Sequence, residues 1–141
     1  MAAAPVKPCW SFDGTRDHFY YENITDNGLP KNGCLEFSFA AGGKLCSPVQ
    51  MLPMGRTRIV LDAAFTGGEV PCTVSMNVCD GKVHDRSFVY PRTEFAGTLQ
   101  ADGVRKEHIL DISAAADLFS TEFDITFGGE GSAKIWGIRI E

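Results

Sequence analysis

Hydrophobic and polar residues alternate with a period of two along much of this chain, most regularly at its C-terminal end. In residues 122–127 and again in residues 135–140, aromatic or β-branched side chains occupy every second position. This period is typical of strands with one buried face. The sequence Gly-Gly-Glu-Gly-Ser separates the two segments at residues 128–132. We therefore predict two strands joined as a hairpin that closes a sheet.

The same period predicts further strands upstream, of which residues 56–66 form the longest. Double glycines at 42–43 and 67–68 are expected to end the strands that precede them. The core face of the longest strand is expected to hold Ile59, Leu61, Ala63 and Phe65, and its opposite face Arg58, Val60 and Asp62. Shorter strands are predicted at residues 35–39, 95–99 and 107–112, followed by one helical turn capped by Ser113.

The clearest local signal is Asp80-Gly81 between the alternating segments 72–79 and 82–90. Asp-Gly favours a two-residue hairpin because a type I′ turn needs positive φ at both central positions. In that register Thr73 opposes Phe88 and Ser75 opposes Arg86. The core face would carry Cys72, Val74, Met76, Val78, Val83 and Val89, and the outer face Thr73, Ser75, Asn77, His84, Arg86, Phe88 and Tyr90. A bulge near Asp85 would instead turn Phe88 inward.

Architecture follows from the number and spacing of these segments. Residues 1–33 are expected to be irregular, with short strands suited to residues 9–12 and 18–21, whereas residues 34–141 are regular. About eight short strands separated by turn residues are typical of an antiparallel β-sandwich. We predict an all-β fold in a single domain spanning residues 1–141, since 141 residues suit one domain.

Composition excludes several classes of partner. The net charge is -5 and the basic residues are scattered, which argues against nucleic-acid binding. No apolar run approaches the ~20 residues that would cross a bilayer, so no membrane partner is expected. The first residues lack the apolar segment of a signal peptide. The chain is therefore either intracellular or a module of a longer exported protein.

Catalytic and metal-binding motifs give little support for an enzyme. The sequence has no G-x-S-x-G elbow and no phosphate-binding P-loop. His18, His84 and His108 lack the spacing of a zinc site. A glycosidase carboxylate pair stays open, because two carboxylates need only be close in space. The five cysteines lack CxxC spacing and are expected to be mostly small buried hydrophobic residues.

The outer face of the predicted Asp80-Gly81 hairpin carries the chemistry that sugars need. Aromatic rings stack on the C–H patches of a sugar, while amide, guanidinium and carboxylate groups bond its hydroxyls. We predict stacking by Phe88 and Tyr90, and a ligand site made of Asp62, Asn77, His84, Arg86, Phe88 and Tyr90. Trp136, Ile138 and Ile140 occupy every second position of their strand and therefore share one face. Trp136 is for this reason predicted to be a core residue. For Trp10, Tyr20 and Tyr21, a ligand platform on a loop and a cover over the sandwich edge are both open.

The closing sequence Ile135-Trp136-Gly137-Ile138-Arg139-Ile140-Glu141, with the preceding Phe123-Asp124-Ile125-Thr126-Phe127, resembles the jelly-roll carbohydrate-binding modules and related galactose-binding-like domains. The resemblance covers roughly residues 34–141. It implies a non-catalytic module that binds a polysaccharide or oligosaccharide, attached to an extracellular glycoside-active enzyme. Many members hold a structural calcium ion, but no calcium-ligand motif matches here clearly. Since the same fold also serves protein-interaction and assembly domains, that function is the alternative.

Overall fold

The computed structural model describes most of the chain. It covers residues 9–12, 14–17, 19–26, 33–48, 55–79, 92–115 and 119–141, with the backbone alone at residues 26, 77–79, 92, 115 and 119–121. Within these residues the chain forms an antiparallel network of eight strands. The strands are β1 (Cys9–Ser11), β2 (Tyr20–Asp26), β3 (Leu35–Cys46), β4 (Arg58–Cys79), β5 (Arg92–Asp102), β6 (Lys106–Asp111), β7 (Phe119–Phe127) and β8 (Gly131–Ile140). A 3-10 turn, Ser113–Ala115, follows β6.

Strand β4 organises the fold because it runs through both layers of a sandwich. Its first part, Arg58 to Thr66, pairs with β6 on one edge and with β8 on the other. Its second part, from Cys72 onward, pairs with β5 and β7. The passage between layers lies at Gly67 and Gly68, whose φ angles are 126° and 83°. These glycines were predicted to end a strand; that prediction is wrong, because they bend the strand while pairing continues beyond them.

The predicted C-terminal hairpin is also wrong, although both of its strands exist. Phe127 of β7 lies opposite Cys72, and Ser132 of β8 lies opposite Thr66. Both strands are antiparallel to β4, so they run in the same direction, whereas a hairpin needs a reversal. The bend between them faces the bend of β4 so closely that a Cβ on Gly131 would overlap the carbonyl oxygen of Thr66.

The first layer therefore contains β6, the first part of β4, β8 and, along the other edge of β8, β1 and the start of β3. The second layer contains β5, the second part of β4, β7 and the end of β3. Strand β3 crosses between them at Gly42–Gly43, so this glycine pair does not break the strand either. Strand β2 pairs along β3. Thus β1 and β2, both within the N-terminal 33 residues, belong to the sheet.

Aromatic side chains fill the space between the layers. Phe39 of the first layer stacks on Phe127 of the second, with ring centroids 4.1 Å apart, and Phe65 lies 6.3 Å from the same ring. The predicted core faces are confirmed where side chains are described, because the following are all buried: Ile59, Leu61, Ala63, Phe65, Cys72, Val74 and Met76. The side chains of Val78, Val83 and Val89, which were also predicted to face the core, lie outside the described residues. The predicted all-β, antiparallel sandwich is confirmed.

The predicted register of the Asp80-Gly81 hairpin is wrong. Thr73 pairs with Ala96 of β5 on one side and with Thr126 of β7 on the other. Ser75 likewise lies between Glu94 and Asp124. Both edges of β4 are therefore occupied at Thr73 and Ser75, by β5 and β7, which are not the partners that the hairpin register predicted. Residues 80–91 themselves lie outside the described residues.

Candidate functional site

A β-bulge in β8 turns Trp136 away from the core. Asp62 lies opposite Gly137 and Ala63 lies opposite Ile135, so Trp136 is an extra residue without a partner on β4. Such an insertion reverses the alternation of faces along a strand. Ile135 and Ile138 are therefore both buried, whereas Trp136 is only half-buried. The prediction that Trp136 is a core residue is wrong, because it assumed an unbroken period of two.

On the outer face of the first layer, the Trp136 indole lies beside an ion pair. The Arg105 guanidinium carbon is 4.2 Å from the centre of the indole ring. Arg105 Nε and Nη2 donate hydrogen bonds to the two carboxylate oxygens of Asp62, at 3.0 and 2.9 Å. A planar guanidinium that is held along one edge by two hydrogen bonds is well suited to support an aromatic ring.

A pocket of about 220 Å³ opens next to the indole. We call it the Trp136 pocket; its lining includes Trp10 and Ser11 of β1, Val60 and Asp62 of β4, and Trp136, Gly137 and Arg139 of β8. Gly137 lies between Asp62 and Ser11 across three strands, where a Cβ would lie 3.3 Å from the carbonyl oxygen of Trp10. Arg105 is not among the lining residues. The pocket therefore borders a part of the indole that the guanidinium does not cover.

The electrostatics keep Asp62 ionised. Hydrogen bonds from Arg105 lower the pKa of the Asp62 carboxyl below its ordinary value. With both oxygens accepting from Arg105, the carboxylate still has lone pairs available for other donors. Asp62 can therefore accept hydrogen bonds from a ligand but is poorly suited to donate a proton.

A second group of ion pairs lies next to the pocket. Arg139 contacts both Glu107 and Glu141, and Arg58 contacts Glu141 at 2.6 Å. The two guanidinium partners lower the pKa of the Glu141 side chain to about 2. Arg139 thus lines the pocket with a side chain whose position is fixed by two carboxylates.

Only two of the site residues predicted from the sequence, Asp62 and Asn77, are among the described residues, and they lie in different layers. Asp62 lies in the first layer, whereas the backbone of Asn77 lies in the second layer opposite Arg92. Four of the six predicted site residues lie outside the described residues: His84, Arg86, Phe88 and Tyr90. Their role in ligand binding stays a prediction.

Sequence reasoning missed Arg105 and rejected Trp136. Gly137 within an alternating strand was the available signal, since a glycine inside a strand often marks a bulge. Nothing in the sequence connected Arg105 with Asp62, 43 positions away. That contact depends on the pairing of β6 with β4.

Trp10, for which two roles were left open by the sequence, is a core residue. It is buried against Phe19, with ring centroids 5.1 Å apart. Three of the cysteines, Cys34, Cys46 and Cys72, are buried, whereas Cys9 is exposed.

Within the described residues, no group of three or more His, Cys, Asp or Glu side chains could hold a metal ion. The calcium ion implied by the resemblance therefore stays a prediction. The helical content of the described residues is also slight, and none of it could cross a membrane.

Comparisons with known proteins give structural matches alone. No family model matches the sequence, and no curated protein matches it. The fold is similar to the C-terminal CBM6 of LamC, a marine laminarinase from Zobellia galactanivorans (TM-score 0.56, 14% identity, 95% of this chain and 98% of that chain covered). It is also similar to CBM29_1, a family 29 carbohydrate-binding module from Piromyces equi (TM-score 0.57, 10% identity, 96% of this chain and 91% of that chain covered). A variant of CBM29-2 in complex with cellulohexaose matches to a similar degree (TM-score 0.56, 13% identity, 95% of this chain and 91% of that chain covered). At these identities the comparisons establish that the chain has the fold of the β-sandwich carbohydrate-binding modules.

Proposed function

We propose that this protein is a non-catalytic carbohydrate-binding module and that the Trp136 pocket receives a sugar unit. The observation that carries the proposal is an indole that faces outward beside a pocket, supported by Arg105 and flanked by the Asp62 carboxylate. A sugar ring could place its C–H face against the indole, while Asp62 and Ser11 bond its hydroxyls. The pocket volume of about 220 Å³ is below the roughly 300–1,000 Å³ typical of drug-sized ligands, which suits one sugar unit.

The structural neighbours support the same proposal by analogy. Those compared above are named as carbohydrate-binding modules, and one of them is in complex with cellulohexaose. Their identity to this chain is low, so a shared fold rather than a shared site is the basis of the analogy. Attachment to a glycoside-active enzyme and an extracellular location are part of the proposal.

The charges of the site favour binding over catalysis. A glycosidase needs a protonated carboxylic acid near a second carboxylate. Asp62 is the only carboxylate among the described residues that line the Trp136 pocket, and Arg105 lowers its pKa. This arrangement provides a fixed acceptor for hydroxyl groups rather than a proton donor.

A direct test compares the Trp136 pocket with the site predicted from the sequence. The wild-type protein, Trp136→Ala and Tyr90→Ala would be run in affinity electrophoresis against soluble β-glucans, including a mixed-linkage glucan and laminarin. We expect retardation of the wild type, and about tenfold weaker binding by Trp136→Ala, because stacking adds on the order of 1 kcal/mol beyond the area buried. An unchanged affinity of Trp136→Ala would overturn the pocket as the binding site.

Tyr90→Ala separates the two surfaces, provided that both variants keep the wild-type circular dichroism spectrum. A loss of binding in Tyr90→Ala alone would assign the site to the predicted residues 84–90. Absence of binding by the wild type to a broad glycan array would contradict carbohydrate binding and leave the protein-interaction domain as the remaining candidate.

A further inference from the structure

A second pocket opens on the same outer face of the first layer. Its volume is about 270 Å³, and it is lined by Thr57, Arg58, Ile109, Asp111 and Ser113. We call it the Ile109 pocket. Arg58 and Asp111 are direct cross-strand partners on β4 and β6, so their side chains lie on one face.

The two pockets are neighbours. Val60 lines the Trp136 pocket, Ile109 lines the Ile109 pocket, and these two residues lie directly opposite each other on β4 and β6. Asp62 and Arg58, which line the two pockets, are four positions apart on β4. At about 3.3 Å per residue this corresponds to roughly 13 Å along the strand. A single sugar unit cannot occupy both pockets, whereas an extended chain can.

Ile109, which lines the second pocket on the side of the Trp136 pocket, is unusually apolar for its exposure. Ile109 is 56% exposed, whereas its partner Val60 is 1% exposed. An exposed isoleucine in the middle of a face that otherwise carries ion pairs presents a small apolar surface. Such a surface is complementary to the C–H face of a sugar ring, as the indole is in the first pocket.

The polar groups around Ile109 are held in fixed positions. Arg58 Nε donates to Glu141 at 2.7 Å, and the backbone N–H of Ser113 donates to Oδ1 of Asp111 at 2.8 Å. Hydrogen bonding to Ser113 also lowers the pKa of Asp111. The Ile109 pocket thus combines an apolar contact with ordered donors and acceptors, as the Trp136 pocket does.

We propose that the Ile109 pocket is a second subsite for the same glycan chain, which crosses the Val60–Ile109 pair between the two pockets. The ligand is then an extended oligosaccharide rather than a single sugar or a chain end. This inference rests on the proposed function, and it adds residues that neither the sequence pattern nor the fold comparison assigns.

The test measures how affinity depends on chain length, by isothermal titration calorimetry. The probes are cellobiose and cellulohexaose, and laminaribiose and laminarihexaose. Ile109→Ser removes the apolar contact at an exposed position, where little effect on folding is expected. Val104→Ser is the matched control, because Val104 is also an exposed aliphatic residue, at 59%, but lines neither pocket.

We expect the wild type to bind a hexasaccharide at least about tenfold more tightly than the disaccharide of the same series. Ile109→Ser should lower hexasaccharide affinity about three- to tenfold and leave disaccharide affinity unchanged, while Val104→Ser changes neither. Equal hexasaccharide affinities of Ile109→Ser and the wild type would overturn the second subsite while leaving the Trp136 pocket intact. Failure of the wild type to bind both series would count against β-glucan binding itself, and the second subsite would fall with it.

Discussion

The two tryptophans of this protein lie on paired strands but face opposite sides of one sheet. Trp10 is on β1, which pairs with β8, and Trp136 is on β8. Trp10 is 7% exposed and packs against Phe19 and Phe123, with ring centroids at 5.1 and 6.2 Å. Trp136 is half-buried and lies against the guanidinium of Arg105.

Their neighbours differ more than their exposures. Trp10 is surrounded by other aromatic rings in edge-on or tilted contact, an arrangement that stabilises a core. Trp136 is next to charged groups that are themselves ordered by ion pairs. The same residue type therefore serves stability on one face of the sheet and forms part of the proposed binding surface on the other, and a single bulge in β8 decides which face Trp136 is on.

The largest expected difference between the two tryptophans is in the free energy of unfolding. Trp10→Ala should lower it by about 3–5 kcal/mol, as is typical when a buried aromatic side chain is removed. Trp136→Ala should lower it by only about 1 kcal/mol, because the indole is half-buried and its loss leaves no closed cavity. Urea denaturation followed by circular dichroism measures both values.

Trp10→Phe provides the second variant in case Trp10→Ala does not fold. It should retain most of the stability and change glycan binding little, because the Trp10 ring packs against Phe19 and Phe123 in the core. Equal destabilisation by Trp10→Ala and Trp136→Ala would contradict the assignment of the two residues to different faces.

The contrast also shows how far the sequence could lead. The core faces of β4 and the existence of β7 and β8 followed from the period of two. The partners of these strands did not, because alternation specifies which face is buried but not which strand lies alongside. Double glycines suggested turns, but Gly67 and Gly68 instead bend one long strand at the corner of the sandwich.

The candidate site was predictable only in part for the same reason. Asp62 was correctly placed on the outer face of β4 because successive residues of a strand point to alternate faces. Trp136 was misplaced because a bulge cannot be detected by counting residues in twos. Arg105 became a partner of Asp62 only through the pairing of β6 with β4, which is a property of the fold.

His108, on the buried face of β6, is expected to make the stability of the fold depend on pH. Burial lowers the pKa of His108, with a further lowering by Lys106, while the Ala63 carbonyl and Asp102 oppose the shift. Below about pH 6.5 the unfolded chain therefore binds a proton that the folded protein excludes. The stability that depends on neutral His108 is present at higher pH and is lost as the pH falls.

We expect the urea midpoint of the wild type to decrease between about pH 7 and about pH 5. The decrease should be smaller in His108→Gln, which can still bond the Ala63 carbonyl that lies 3.3 Å from Nε2 of His108. Both proteins would be measured across the same buffers, so that the other histidines contribute equally. Identical pH profiles would show that His108 is not held neutral in the core.

The smallest expected effect on stability is on the outer face, where Arg105 supports the indole. The Arg105 and Asp62 side chains are 54% and 36% exposed, and ion pairs between exposed side chains contribute little to stability. Arg105→Ala should therefore change stability only slightly. It should nevertheless weaken glycan binding several-fold, because the indole and the Asp62 carboxylate both lose the group that orders them.

Two further variants show whether Arg105 acts by positioning Trp136. Arg105→Lys keeps the charge but loses the planar, two-pronged contact, so it should restore only part of the affinity. Lys106→Ala breaks a neighbouring ion pair with Asp102, whose Nζ to Oδ2 distance is 2.7 Å, and should leave binding unchanged. If Arg105→Ala instead binds glycans more tightly than the wild type, the guanidinium competes with sugar for the indole. The indole would then receive its ligand on the face that Arg105 covers, and not in the Trp136 pocket.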